Sequence, residues 1–214
     1  KVNVAYWSGG TRLFAVPKYE KTLLDVVQRG NINLNFNVKL TAIDGDKKVA
    51  TFVGIGADNK DQITEVPFDM IHVTPPQSAP DFVSKSPLAN AAGWVEVDQY
   101  TLQHPRFANV FTLGDGAGLP TSKTGAAIRK QAPVLVANLL SFMTGKPLTA
   151  KYNGYSSCPI VTGYGKLVMA EFDYTNTPTE TFPFDQSKER WSMFALKRYL
   201  LPWLYWNQIL PGKM

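Results

Sequence analysis

The chain has 214 residues, enough to bury a substantial core and to hold one large or two small domains. Its 44% hydrophobic and 12% aromatic content excludes a disordered chain, and one cysteine excludes a disulfide framework or a cysteine-based zinc site. Twenty-two basic against 17 acidic residues give a net charge of +5, a mild bias toward acidic surfaces.

In chain order, residues 2–7 read as a short buried strand ending at Ser8-Gly9-Gly10. Residues 18–29 carry Leu23, Leu24, Val26 and Val27 behind Pro17 and ahead of Gly30, which are helix start and stop signals. Residues 32–38 alternate Ile32, Leu34, Phe36 and Val38 with polar residues, the pattern of a half-buried strand. Further short strands are predicted over 40–43, 49–53 and 63–68, broken by Asp44-Gly-Asp and by a polar segment around 58–61. A last strand over 70–74, containing His72, stops at Pro75-Pro76.

The Pro- and Ser-rich stretch 74–87 is the predicted domain boundary. Beyond it come 93–97, a polar link, and a predicted strand over 109–113 closing on Gly114-Asp115. A long helix follows over 124–144, stopped by Gly145, with a kink expected at Pro133. Residues 158–174 offer two strands, and the C-terminal third reads as aromatic and mostly helical. The longest uncharged runs, 131–145 and 199–212, hold about 15 residues or fewer, short of the roughly 20 that cross a bilayer. No signal peptide is evident, and the opening at Lys1 rather than Met points to a piece of a longer protein.

Gly9-Gly10 lacks the third glycine of a dinucleotide fingerprint and reads as a turn. Gly114-Asp115 carries more. A carboxylate between a strand end and a helix start can accept from a ribityl or ribose hydroxyl. The free N–H groups and positive end of the helix then suit an electron-rich ring edge. Lys123 and Thr124 stand at that helix start, where a cation does nothing for the helix itself and so suggests an anionic partner. Cys158 sits among Gly154, Tyr155, Ser156, Ser157 and Pro159; it is either a small structural thiol or one half of a redox pair. His72 and His104 lie far apart with no acidic cluster beside them, so no metal site is expected, and no nucleic-acid motif is present. The tail combines Trp191, Phe194, Tyr199, Trp203, Tyr205 and Trp206 with Lys188, Arg190, Lys197 and Arg198. It is either a core helix or an amphipathic helix lying in a membrane interface.

Val73-Thr-Pro-Pro-Gln-Ser-Ala-Pro80, Ala92-Gly-Trp-Val-Glu-Val97, Thr112-Leu-Gly-Asp115, Leu119-Pro-Thr-Ser-Lys-Thr124, Tyr155-Ser-Ser-Cys-Pro-Ile-Val-Thr-Gly-Tyr164, Glu171-Phe-Asp-Tyr174, Thr181-Phe-Pro-Phe-Asp-Gln-Ser-Lys-Glu-Arg190 and Leu204-Tyr-Trp-Asn207 together resemble the sulfide:quinone oxidoreductases, C-terminal half only. The resemblance implies an α/β fold: parts of two Rossmann-like domains of the disulfide-reductase flavoprotein type, plus a C-terminal aromatic helical membrane-docking region. Residues 1–77 would be the later part of the central NAD-type domain, 78–150 the returning part of the FAD domain, and 151–214 the redox-cysteine and quinone-docking region.

It further implies FAD as cofactor, with Asp115 on the ribityl chain, Lys123 near the isoalloxazine, and Gly114 and Thr124 completing that site. Cys158 would be the second redox cysteine, carrying a sulfane sulfur after sulfide attacks the bridge between the two. Trp191, Phe194, Trp203, Tyr205 and Trp206 would face membrane and quinone, giving a peripheral membrane protein of bacterial or mitochondrial type. The N-terminal FAD fingerprint and the first redox cysteine are absent, so the chain alone is expected to be inactive. A type II NADH:quinone oxidoreductase and a non-catalytic membrane-binding half are the alternatives. Exposed sheet edges in such a half would favour a homodimer.

Overall fold

The computed structural model describes residues 2–55 and 61–213, and the chain divides into two compact units, Lys1–Pro76 and Gln77–Met214. In the first, β1 (Val4–Trp7), α1 (Pro17–Arg29) and β2 (Ile32–Asn35) form a βαβ unit with β1 and β2 parallel. Pro17 starts α1 with its φ already helical and no N–H to satisfy. Glu20, in the first turn, accepts from the Leu13 and Phe14 N–H groups at 3.0 and 3.3 Å and pairs with Arg12, tying the incoming loop to the helix. Tyr19 and Leu23 bury its inner face.

Residues 32–38 are not one strand. Asn37 takes a left-handed φ of 59°, which asparagine tolerates better than most residues, and turns the chain out of the β1–β2 pair. Val38 therefore opens β3 (Val38–Asp44), the first strand of an antiparallel meander with β4 (Val49–Ile55) and β5 (Asp61–Pro67). Trp7 stacks on Phe52 of β4, with ring centroids 4.4 Å apart. Most of the polar segment expected around 58–61 lies outside the described residues. The strand expected over 70–74 is absent. Met70 and His72 are exposed, and Pro75-Pro76 leave no donors for a ladder.

In the second unit a short helix α2 (Asp81–Ser84) leads into a long irregular stretch. Neither 93–97 nor 109–113 forms a strand; Val95 and Phe111 make only isolated bridges, to Ala89, Ala117 and Gln103. Side chains hold this stretch together instead. Buried His104 accepts from the Arg106 and Phe107 N–H groups on Nδ1, which leaves Nε2–H to donate to the Leu88 carbonyl at 3.2 Å. Buried Asn138 donates to the Thr101 and Ala150 carbonyls and accepts from the Ala150 N–H.

The long helix α3 (Gly125–Met143) has Pro133 in its interior, as expected. The hairpin of β6 (Ser156–Gly163) and β7 (Lys166–Phe172) also matches the expected pair of strands. One cluster of Leu102, Tyr152 and Tyr155 packs against α3 residues Ala126, Val134 and Leu135. A second, of Leu167, Met169 and Met193, joins β7 to the tail. At Gly154 φ is +85° and a Cβ would lie 2.2 Å from the Tyr174 ring, so only glycine lets the chain pass there.

Residues 175–190 are irregular rather than helical, and the helical tail runs only from Trp191 to Ile209. It comprises α4 (Trp191–Ala195), a π-helical turn (Leu196–Leu200), α5 (Leu201–Leu204) and a second π-helical turn (Tyr205–Ile209). Pro202 lacks an N–H and its ring crowds the carbonyl four residues earlier. The Leu201 N–H bonds the Leu196 carbonyl, five residues back, and this wider turn accommodates the proline. Among the described residues no helix is long and apolar enough to cross a membrane.

Candidate functional site

Gly114 opens a short 3-10 turn, Gly114–Gly116, with φ +69°, and its N–H donates to the Oε1 of buried Gln131 on α3 at 2.8 Å. This bond fixes the Gly-Asp turn against the first half of α3. Asp115 is exposed, and among the described residues no hydrogen bond or ion pair engages its carboxylate.

Thr124 caps α3 rather than belonging to it: its Oγ1 accepts from the Ala127 N–H at 3.2 Å. Neither the Gly125 nor the Ala126 N–H meets a protein acceptor among the described residues, and the space beside Gly125 is open to 4 Å. A helix start with free donors and no side-chain cover accepts an electron-rich group.

Lys123 folds back over this turn. Its ammonium donates to the Asp115 carbonyl at 2.7 Å and the Ala117 carbonyl at 2.8 Å, and lies 3.8 Å from the centroid of the Trp94 ring. Burial lowers its pKa below that of an ordinary lysine, while the Asp115 charge pulls the other way. Gly114, Ala117, Leu119, Thr121, Ser122, Lys123, Thr124, Ala127 and Gln131 line a shallow recess of about 190 Å³, measured to its open rim.

The strand that carries Cys158, β6, meets this turn at Ser156. Ser156 donates to the Ser122 carbonyl at 3.3 Å, and the Thr124 hydroxyl lies 3.0 Å from the Ser156 hydroxyl. Thr121 also bonds the Gly154 carbonyl at 2.9 Å. Alternation along a strand puts Cys158 on the same face as Ser156, about 7 Å further along. The thiol is half-buried. Burial raises its pKa, and Lys197 acts against that, its Nζ donating to the neighbouring Pro159 carbonyl at 2.7 Å.

On the opposite face of the hairpin, buried Glu171 accepts from the Tyr155 hydroxyl, the Gln186 amide at 2.6 Å, and the Thr181 N–H and hydroxyl at 2.7 and 2.8 Å. Burial pushes the Glu171 pKa up, but these donors outweigh it and hold the carboxyl below its usual range. Burial and then the facing carboxylate push Tyr155 up to about 12, so it stays a donor. In the tail, Trp191, Trp203, Tyr205 and Trp206 are exposed, whereas Phe194 is partly buried against the Leu167–Met169–Met193 cluster.

The sequence reading named Gly114, Asp115, Lys123, Thr124 and Cys158; the first four lie around the start of α3, and the strand of Cys158 touches that region at Ser156. It gave no role at this site to Trp94, Gln131, Ser156 or Glu171, and read Lys197 only as a basic residue of the tail. Only Glu171 left a local signal, an acid inside the apolar run of β7.

The comparisons agree with the motif resemblance. The chain is 43% identical over 212 residues to the mitochondrial sulfide:quinone oxidoreductase of Mus musculus, covering 99% of this chain and 47% of that protein. It is 45% identical over 214 residues to that of Dictyostelium discoideum and 43% identical over 213 residues to that of Schizosaccharomyces pombe. By sequence, the chain is similar to part of these sulfide:quinone oxidoreductases. It spans about half the length of the curated relatives it matches. No protein-family model matches it. A chain in the mitochondrial ATP synthase structure of Tetrahymena thermophila superposes with a TM-score of 0.75 over 90% of this chain and 46% of that one. At 24% identity that likeness concerns the fold alone.

Proposed function

We propose that this chain is the thiol-bearing part of a sulfide:quinone oxidoreductase, with FAD at the Gly114–Thr124 turn and Cys158 as the thiol that takes the sulfane sulfur. The observation that carries this reading is the Thr124–Ser156 contact, which seats the cysteine strand on the α3 N-terminus. The residues present suit the cofactor. Asp115 offers an unengaged carboxylate, α3 offers unclaimed N–H donors beside open space, and Lys123 supplies a fixed cation.

In the resting state Cys158 is joined to a second cysteine outside this chain. Hydrosulfide attacks the Cys158 sulfur, a new S–S bond forms there, and the second cysteine leaves as a thiolate holding the electron pair. FAD held at the Gly114–Thr124 turn would supply a two-electron carrier between that thiolate and quinone. Lys197 opposes the rise in the Cys158 pKa that burial causes, and β6 holds the cysteine in register with β7 opposite Ala170.

Replacing Asp115 by Ala in the full-length protein removes a charge-assisted hydrogen bond worth about 1.5–3 kcal/mol. FAD affinity should fall about tenfold to hundredfold, read by flavin release on dilution. Unchanged affinity would remove Asp115 from the site.

The exposed aromatics of the tail, with Lys188, Lys197 and Arg198 on the same segment, support docking in the plane of an anionic membrane interface. Deleting residues 191–214 should abolish co-sedimentation with phosphatidylserine-containing liposomes. Equal binding with and without the tail would make it a packing element.

A further inference from the structure

We propose that Trp94 is a positioning residue of the flavin site, holding the Lys123 ammonium in a cage made of its indole face and the Asp115 and Ala117 carbonyls. This rests on the proposed function and gives a role to Trp94, which the resemblance covered only as part of the stretch Ala92–Val97. An ammonium has three N–H donors and prefers the negative face of an indole over any other aromatic. Here two donors go to carbonyls at 2.7 and 2.8 Å, and the nitrogen stands 3.8 Å from the indole centroid.

All three partners are neutral. The cage therefore restrains the cation without cancelling its charge, and Asp115, the charged group that acts on it, does so at longer range. A lysine neutralised by a contacting carboxylate would offer an anionic ring or phosphate little. A lysine free in solvent would carry the entropy of a flexible stem to be lost on binding. The cage avoids both, and leaves a fixed positive charge beside the start of α3.

The backbone is arranged to place the indole there. Val95 bridges Ala117 in parallel, donating to the Gly116 carbonyl at 3.0 Å and accepting from the Gly118 N–H at 2.8 Å. Trp94 itself is pinned by its N–H to Asn90 Oδ1 at 3.1 Å, and Asn90 also accepts from the Ala92 N–H. These bonds involve no indole atom, so the ring can be altered without undoing the segment that carries it.

The test is trace acetylation of the full-length protein, stripped of FAD, across a pH range. Mass spectrometry reads Lys123 against Lys130 and Lys146 as internal references. A ring that holds the ammonium electrostatically favours the charged form, so Trp94→Leu should move the Lys123 midpoint down. A ring that merely covers the amine disfavours the charged form, and its removal should move the midpoint up. Biosynthetic fluorination of the indoles keeps their shape while draining charge from the ring face. It should raise Lys123 labelling stepwise at a pH below the midpoint, about threefold for the most fluorinated ring.

An upward midpoint in Trp94→Leu, or a flat response to fluorination, overturns the cage; the fluorination arm decides alone if the leucine variant does not fold. Reloading with FAD separates the two readings. Protection of Lys123 by FAD in the wild type supports its place in the flavin site. Cage behaviour without such protection would refute the link to the cofactor while leaving the Trp94–Lys123 contact intact.

Discussion

Cys158→Ser in the full-length protein should reduce sulfide-dependent quinone reduction to background while leaving the flavin bound at full stoichiometry. A serine fits β6 opposite Ala170 and keeps the alternation that presents Ser156 to Thr124, so the turn that would hold FAD is untouched. What it lacks is a sulfur able to exchange. A hydroxyl can neither form the disulfide that hydrosulfide would open in the proposed reaction nor carry a persulfide. The measurement is quinone reduction on sulfide addition, alongside the flavin absorbance of the same sample. Turnover near wild type would remove Cys158 from the chemistry. An NADH-driven activity that survived the substitution would favour a different electron donor on the same scaffold.

The largest expected loss of stability comes from Glu171→Leu. The substitution removes the one acceptor shared by the Tyr155 hydroxyl, the Gln186 amide and both donors of Thr181, within a site where Glu171 and Gln186 are buried. Each donor left unpaired costs about 1–3 kcal/mol, although relaxation and water recover part of the sum. A total of about 3–5 kcal/mol is expected from urea unfolding, comparable to breaking a buried charged pair. The same loss should lower Tm by about 10 °C for a chain of this size.

The pH dependence has a definite sign. The native Glu171 pKa lies below the ordinary 4.5, so its contribution is complete above that value and fades as pH falls through the lower native one. Wild type should therefore lose stability on acidification below about pH 4.5, and the leucine variant should lose less over the same interval. Equal stability of the two proteins at neutral pH would mean that the carboxylate network does not hold the hairpin.

How much could be read in advance depended on how local each signal was. α1 was legible because Pro17 and Gly30 bracket an amphipathic run, and α3 because its apolar residues recur on a helical period up to Gly145. The hairpin was legible because β-branched and apolar residues flank Gly163-Tyr164-Gly165. The strands expected over 70–74 and 109–113 failed for a matching reason. Short apolar runs satisfy a strand pattern, but nothing local says whether a partner strand stands alongside to take their hydrogen bonds. Without one, residues 109–113 are fastened by the bridge at Phe111 and by the Gly114–Gln131 bond.

The sequence by itself determined the limits of α1 and α3, the single thiol in a Gly- and Tyr-rich setting, the Asp115 and Lys123–Thr124 signals, and the likeness to sulfide:quinone oxidoreductases. Those properties are written in neighbouring residues, through periodicity, capping and motif. Only the tertiary structure decided that Thr124 meets Ser156, 32 residues away, that Trp94 covers Lys123, and that Glu171 gathers donors from Tyr155, Thr181 and Gln186. Contacts of this kind depend on directions at distances of about 3 Å. A single degree of freedom in an intervening loop changes them, so no spacing along the chain encodes them.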